Sequence, residues 1–104
     1  MFFINKVRWN IVFVPFNSYQ LLKSNGQLTF ATCDDITKTI YINNQIYGKF
    51  LKKVLCHEIT HAAMFSYGID LTVDQEELLA DLIATYGDEI IYTTNKIFQK
   101  LTGE

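Results

Sequence analysis

The apolar positions change period partway along the chain, and that change predicts the order of its elements. From Val7 to Val14 (V-R-W-N-I-V-F-V) β-branched and aromatic residues dominate until Pro15, the only proline, which predicts a strand. Phe16 to Gly26 mixes Asn, Ser and Gly around a Tyr19-Leu21-Leu22 cluster and reads as a loop with one helical turn. Leu28 to Cys33 and Thr37 to Asn43 are two further strand-like runs. The Asp34-Asp35 pair between them is good turn chemistry, so the two are expected to form an antiparallel hairpin. Ile40 and Ile42 alternate with Thr39, Tyr41 and Asn43, as in a strand with one buried face.

Beyond Asn43 the period lengthens. From about Ile46 to Tyr67, Phe50, Val54, Ile59 and Ala62 recur at helical spacing together with Leu51 and Leu55, and Gly68 is placed to cap the end. Thr72 to about Leu101 reads as one long helix or two abutting ones. Thr72 or Asp74 would serve as N-cap, Glu76 and Glu77 would follow in the opening turns, and Gly87 is a possible break. Strands followed by helices predict a small α+β domain, with about three strands, antiparallel or mixed, packed against two helices. Trp9 is expected in its core.

A chain of 104 residues fits one domain over 1–104, with 49% apolar residues to build a core. Its net charge of -2, with no basic block, points away from nucleic acid and from an anionic membrane surface. No stretch approaches the roughly 20 apolar residues of a membrane span. Met1 to Arg8 lacks the order of a secretory leader, and Cys33 and Cys56 lack C-x-x-C spacing. The expectation is a cytoplasmic protein with reduced thiols.

The chemistry is concentrated in His57-Glu58-Ile59-Thr60-His61. Both histidines of the chain lie in this segment, four residues apart on a predicted helix, so their rings share one face. Neutral imidazole suits zinc, and Glu58 beside the first ligand can reach an activated water without binding the ion itself. A catalytic zinc site needs a third protein ligand. Glu77, sixteen residues beyond His61 and after a chain-reversing Gly68-Ile69-Asp70 turn, is the first choice, and Glu76 is the substitute. Asp81, four residues further on and on nearly the same face, can fix the tautomer of a ligating histidine. Cys56 reads as a packing residue, whereas a Cys33 thiolate is a possible silencing ligand. An oxyanion stabiliser is harder to assign: Tyr86 and Tyr92 fall away from Glu77 on the helix, while Tyr41 and Tyr47 can approach from the sheet side.

His57-Glu58-Ile59-Thr60-His61 followed by Glu77-Leu78-Leu79-Ala80-Asp81-Leu82-Ile83-Ala84 resembles the gluzincin metallopeptidases, in which H-E-x-x-H and a downstream Glu bind zinc. Within them, E-x-x-A-D-x-x-A is similar to the ImmA/IrrE-type family, often encoded by phages and mobile elements. The resemblance spans about residues 50–85. It implies a minimal zincin-like fold, one Zn2+ per chain held by His57, His61 and Glu77, Glu58 as general base, and a protein or peptide substrate. Such substrates often pair with an exposed sheet edge, for which Thr37 to Asn43 is the candidate here. The helix-turn-helix domain attached to several family members has no counterpart in this length. Two rivals remain: a zinc-binding interaction module without catalysis, and a helical domain whose histidines bind nothing.

Overall fold

The computed structural model of the chain describes residues 1–103. It is an α+β fold: a four-stranded mixed sheet covered by one helix, with a second helix packed on the first rather than on the sheet as the sequence had suggested. The strands are β1 (Phe2–Ile4), β2 (Val7–Val14), β3 (Ala31–Asp34) and β4 (Thr39–Asn43), arranged β1-β2-β4-β3. β2 and β4 are parallel, with Ile11 opposite Ile40 and Phe13 opposite Ile42. β3 returns antiparallel along β4, as the hairpin reading expects, with Ala31 opposite Ile42 and Cys33 opposite Ile40.

The sequence reading counted three strands, and β1 is the addition. Asn5 and Lys6 both have positive φ, 49° and 65°, which is the two-residue turn that matches the twist of a tight hairpin. Asn tolerates that region better than most residues. The charges on Lys6 and Arg8 had masked the short Phe2–Ile4 run. The other hairpin closes differently from the Asp34-Asp35 expectation. Asp34 ends β3, and its Oδ1 accepts from the backbone N–H groups of Ile36 and Thr37 at 2.9 and 3.4 Å. The turn itself is residues 35–38.

β4 lies inside the sheet, between β2 and β3, so the expectation of an open edge at Thr37 to Asn43 is wrong. Two-sided burial explains its composition. Ile40 and Ile42 are fully buried against Trp9, Ala31 and Ala62. On the other face Thr39 and Asn43 are buried too, because the 3-10 turn Tyr19–Leu21 packs there and seats Leu21 in the interior. The true edge on that side is β3.

Helix α1 (Gly48–Ser66) lays Leu51, Val54, Leu55, Ile59 and Ala62 on the core. It ends in a Schellman motif: Gly68, at φ 64°, donates to Phe65 at 3.2 Å and Ile69 to Met64 at 2.9 Å. Trp9 donates from Nε1 to Ser66 Oγ at 2.7 Å, tying β2 to the end of this helix. Helix α2 (Val73–Thr102) is one continuous helix through Gly87. It starts in a capping box, in which Thr72 accepts from Gln75 N–H at 3.2 Å and the Gln75 side chain accepts from Thr72 N–H at 3.1 Å. Thr72→Ala is expected to cost about 1 kcal/mol, read as a lower urea midpoint with unchanged slope. Among the described residues, no helix is long and apolar enough to cross a membrane.

Candidate metal centre

The Gly68 turn brings α2 back antiparallel to α1, so the opening turns of α2 meet the middle of α1. Three cross-helix contacts record the register: His61 with Glu76, His57 with Asp81, and Lys52 with Asp88. The last is an exposed pair of little energetic weight. The first two form part of a polar cluster on the facing sides of the helices.

His57 Nδ1 lies 2.9 Å from Asp81 Oδ1, and His61 Nδ1 lies 2.5 Å from Glu76 Oε1. The two Nε2 atoms are 3.1 Å apart. Glu77 faces both, with Oε2 3.1 Å from His57 Nε2 and Oε1 3.0 Å from His61 Nε2. Each ring thus has a carboxylate at both nitrogens; in the tautomer that donates from Nδ1 to Asp81 or Glu76, a neutral imidazole turns its Nε2 lone pair inward. Two lone pairs and a carboxylate then face one another across about 3 Å, an arrangement that a cation between them reconciles. His57, His61 and Glu77 can therefore hold a metal ion.

The structure brings together the three residues singled out as ligands and places Asp81 on the outer nitrogen of His57. Glu76, expected as a substitute for Glu77, stands outside the trio and occupies the equivalent position on His61. The clue available in the sequence was arithmetic: two ligating rings need two acceptors, and Asp81 supplies one. Glu76→Gln and Asp81→Asn are each expected to weaken metal binding by about 10–100-fold, measured by competition with a chromophoric chelator. Glu76 should have the larger effect, since its side chain is 19% exposed against 68% for Asp81.

The Glu58 side chain, between the histidines in sequence, is buried and makes no hydrogen bond or ion pair with any described residue. Burial holds its carboxyl above the ordinary carboxylate range; His61 and His57 pull the other way, Glu77 pushes it up, and Lys23 lowers it. Its carboxylate faces two adjoining grooves. One is lined by Phe30, Ala31, His57 and Glu77, the other by Ala31, Cys33, His61 and Glu76, and Lys23 borders both. Phe30 and Phe50, edge to face at 4.9 Å, wall the first groove.

The β3 edge borders both grooves. Asn43 N–H donates to Phe30 C=O at 2.9 Å, and the alternation of antiparallel pairs then turns Thr32 and Asp34 towards β4. The backbone groups of Ala31 and Cys33 point outward, away from the sheet. Cys33 is a free thiol outside the trio. Burial first, then Glu58 and neighbouring acids, push its pKa far up, and the His57, His61 and Glu77 group comes together without its sulfur. None of Tyr41, Tyr47, Tyr86 and Tyr92 lines either groove. Lys23 does, from within the Phe16 to Gly26 segment that the sequence marks as a loop. Its placement comes from the turn at residues 23–26, where Gly26 (φ 85°) donates to the Lys23 carbonyl at 3.0 Å.

Fold and site together define a small α+β domain with a two-histidine, one-glutamate group able to hold a metal ion. Compared with protein families, curated proteins and solved structures, the chain finds no match.

Proposed function

We propose that the chain is a zinc-dependent metallopeptidase of gluzincin type, similar to the ImmA/IrrE-type family, working on a protein or peptide substrate in the cytoplasm. The observation that carries this reading is the division of labour around the two rings: the Nδ1 atoms rest on Glu76 and Asp81 while the Nε2 atoms meet at Glu77. Zinc bonds of about 2.0–2.1 Å in a tetrahedron set donors about 3.3–3.4 Å apart. The donor separations of 3.0, 3.1 and 3.1 Å lie within a few tenths of an ångström of that. An imidazole pair with one carboxylate also matches the donor set of a catalytic zinc site, three protein ligands with a position left open.

Bound there, zinc would lower the pKa of a coordinated water towards about 7 and polarise the scissile carbonyl. Glu58 takes a proton from the attacking water and passes it to the leaving amine. Its raised proton affinity and lack of competing hydrogen bonds suit that exchange. Lys23, bordering both grooves, supplies the positive charge that opposes the negative charge developing on the carbonyl oxygen. The outward backbone groups of Ala31 and Cys33 offer ladder partners to an extended peptide, replacing the β4 edge expected from the sequence.

The test is cleavage of a denatured proteome-derived peptide library by zinc-loaded protein, read by mass spectrometry. New termini that vanish with a chelator and with Glu58→Gln support the reading. Zinc binding without any Glu58-dependent cleavage would favour the interaction-module alternative.

A further inference from the structure

The catalytic reading uses only the first third of α2, and the rest of that helix is poorly accounted for. Lys52 meets Asp88, so by one helical turn the start of α1 at Gly48 is level with about residue 92. The last ten residues of α2 run past α1 for about 15 Å. No residue of α2 after Ala80 is buried.

This segment is a poor free-standing helix. Ile90-Ile91-Tyr92-Thr93-Thr94 is dominated by β-branched side chains, which lose rotamer freedom in a helix. Isolated helices shorter than about 12–15 residues are marginal in water even when rich in alanine. Its apolar residues, however, form a seam. At about 100° per residue, Tyr86, Ile90, Ile97 and Leu101 share one face, with Ile91 and Phe98 along one border. All six are exposed, from 51% at Ile90 to 80% at Leu101.

We infer that this seam is the interface with a second copy of the chain, packed antiparallel about a two-fold axis near Thr93 and Thr94. In that register Tyr86 lies against Leu101 of the second copy, and Ile90 against Ile97. The charges select both the occupant and its direction. Glu89, Lys96 and Lys100 lie on the same flank of the seam, acid towards the N-terminal end and base towards the C-terminal end. Antiparallel pairing sets Glu89 beside the lysines of the other copy, whereas parallel pairing sets this charged flank against the opposite, apolar flank of Ile91 and Phe98. The exposed parts of the six side chains amount to on the order of 600 Å² per copy, most of the roughly 800 Å² a side that stable complexes bury. Helix–helix pairing of this kind also lies on the far side of α2 from the metal trio, so the groove stays open.

Sedimentation equilibrium on the full chain tests this, and it is independent of the metal reading. The expected result is a dimer of twice 12.1 kDa. Ile90→Glu with Ile97→Glu is expected to give a folded monomer, with the dissociation constant raised at least about 100-fold. Glu89→Lys and Lys100→Glu are each expected to weaken self-association by about 10-fold, and mixing the two should restore it, as only antiparallel pairing allows. A wild-type monomer, whether or not residues 86–102 stay helical, would overturn the inference. So would a dimer indifferent to Ile90→Glu with Ile97→Glu, or pairing only with a different protein.

Discussion

Glu58→Gln is expected to leave the protein with its full metal content and to reduce hydrolysis by about 10²–10⁴-fold, the usual contribution of a positioned general base. The amide keeps the size of the side chain and removes the carboxylate proposed to take the proton. The Glu58 side chain makes no hydrogen bond to a described residue, so the amide breaks no such contact with the trio. The decrease should fall on kcat with KM nearly unchanged, since the proton moves only in the transition state. A loss of metal together with activity would mean that Glu58 holds the site rather than working in it.

The same substitution has a stability signature in the metal-free protein, because burial raises the Glu58 pKa on folding. Above the folded pKa, both states are ionised and the folded state carries the cost of a buried charge. Below the ordinary value of 4.5, both states are protonated and the cost is gone. With chelator present, Glu58→Gln is therefore expected to melt above the wild type at neutral pH. The difference should shrink as pH falls through the raised folded pKa and disappear near 4.5. A constant difference across that range would assign the gain to something other than charge burial.

Glu77→Ala is expected to have the largest effect on the metal itself, exceeding the roughly 10–100-fold cost of losing a supporting partner. It removes the only residue that α2 contributes to the trio. The consequence should extend to the helix. Ala80 is the only buried residue of α2 among those described, so contacts at the metal centre are a main tie between α2 and the body. A ligand at a hundredfold excess over its Kd stabilises the folded state by about 2.7 kcal/mol. Chelation of the wild type is expected to lower its melting temperature and speed amide exchange in α2, while the Glu77→Ala protein should already behave as the chelated wild type. Protection in α2 that is indifferent to metal would contradict this link.

Much of this centre was legible in the sequence because a helix converts spacing into geometry. Four residues put His57 and His61 on one face, and a capped turn at Gly68 implied the reversal that returns Glu77 to them. The parts that escaped depend on contacts between distant segments. Residue periodicity in β4 put Ile40 and Ile42 in the core, but it read the face of Thr39 and Asn43 as open and could not name the neighbouring strands, so both the half-burial and the edge position were wrong. β1 was missed because pairing with β2 stabilises a three-residue strand that is too short to declare itself. Lys23 gains its place from a loop that folds over the groove, and Glu76 from a second imidazole that also needs an acceptor.

The central claim is the metal, and elemental analysis of purified protein tests it most directly. The account predicts close to one zinc per chain in the wild type and in Glu58→Gln, and almost none in Glu77→Ala. A wild type that carries no zinc even after it is supplied would contradict it and leave His57 and His61 as a carboxylate-bound histidine pair in an α+β domain.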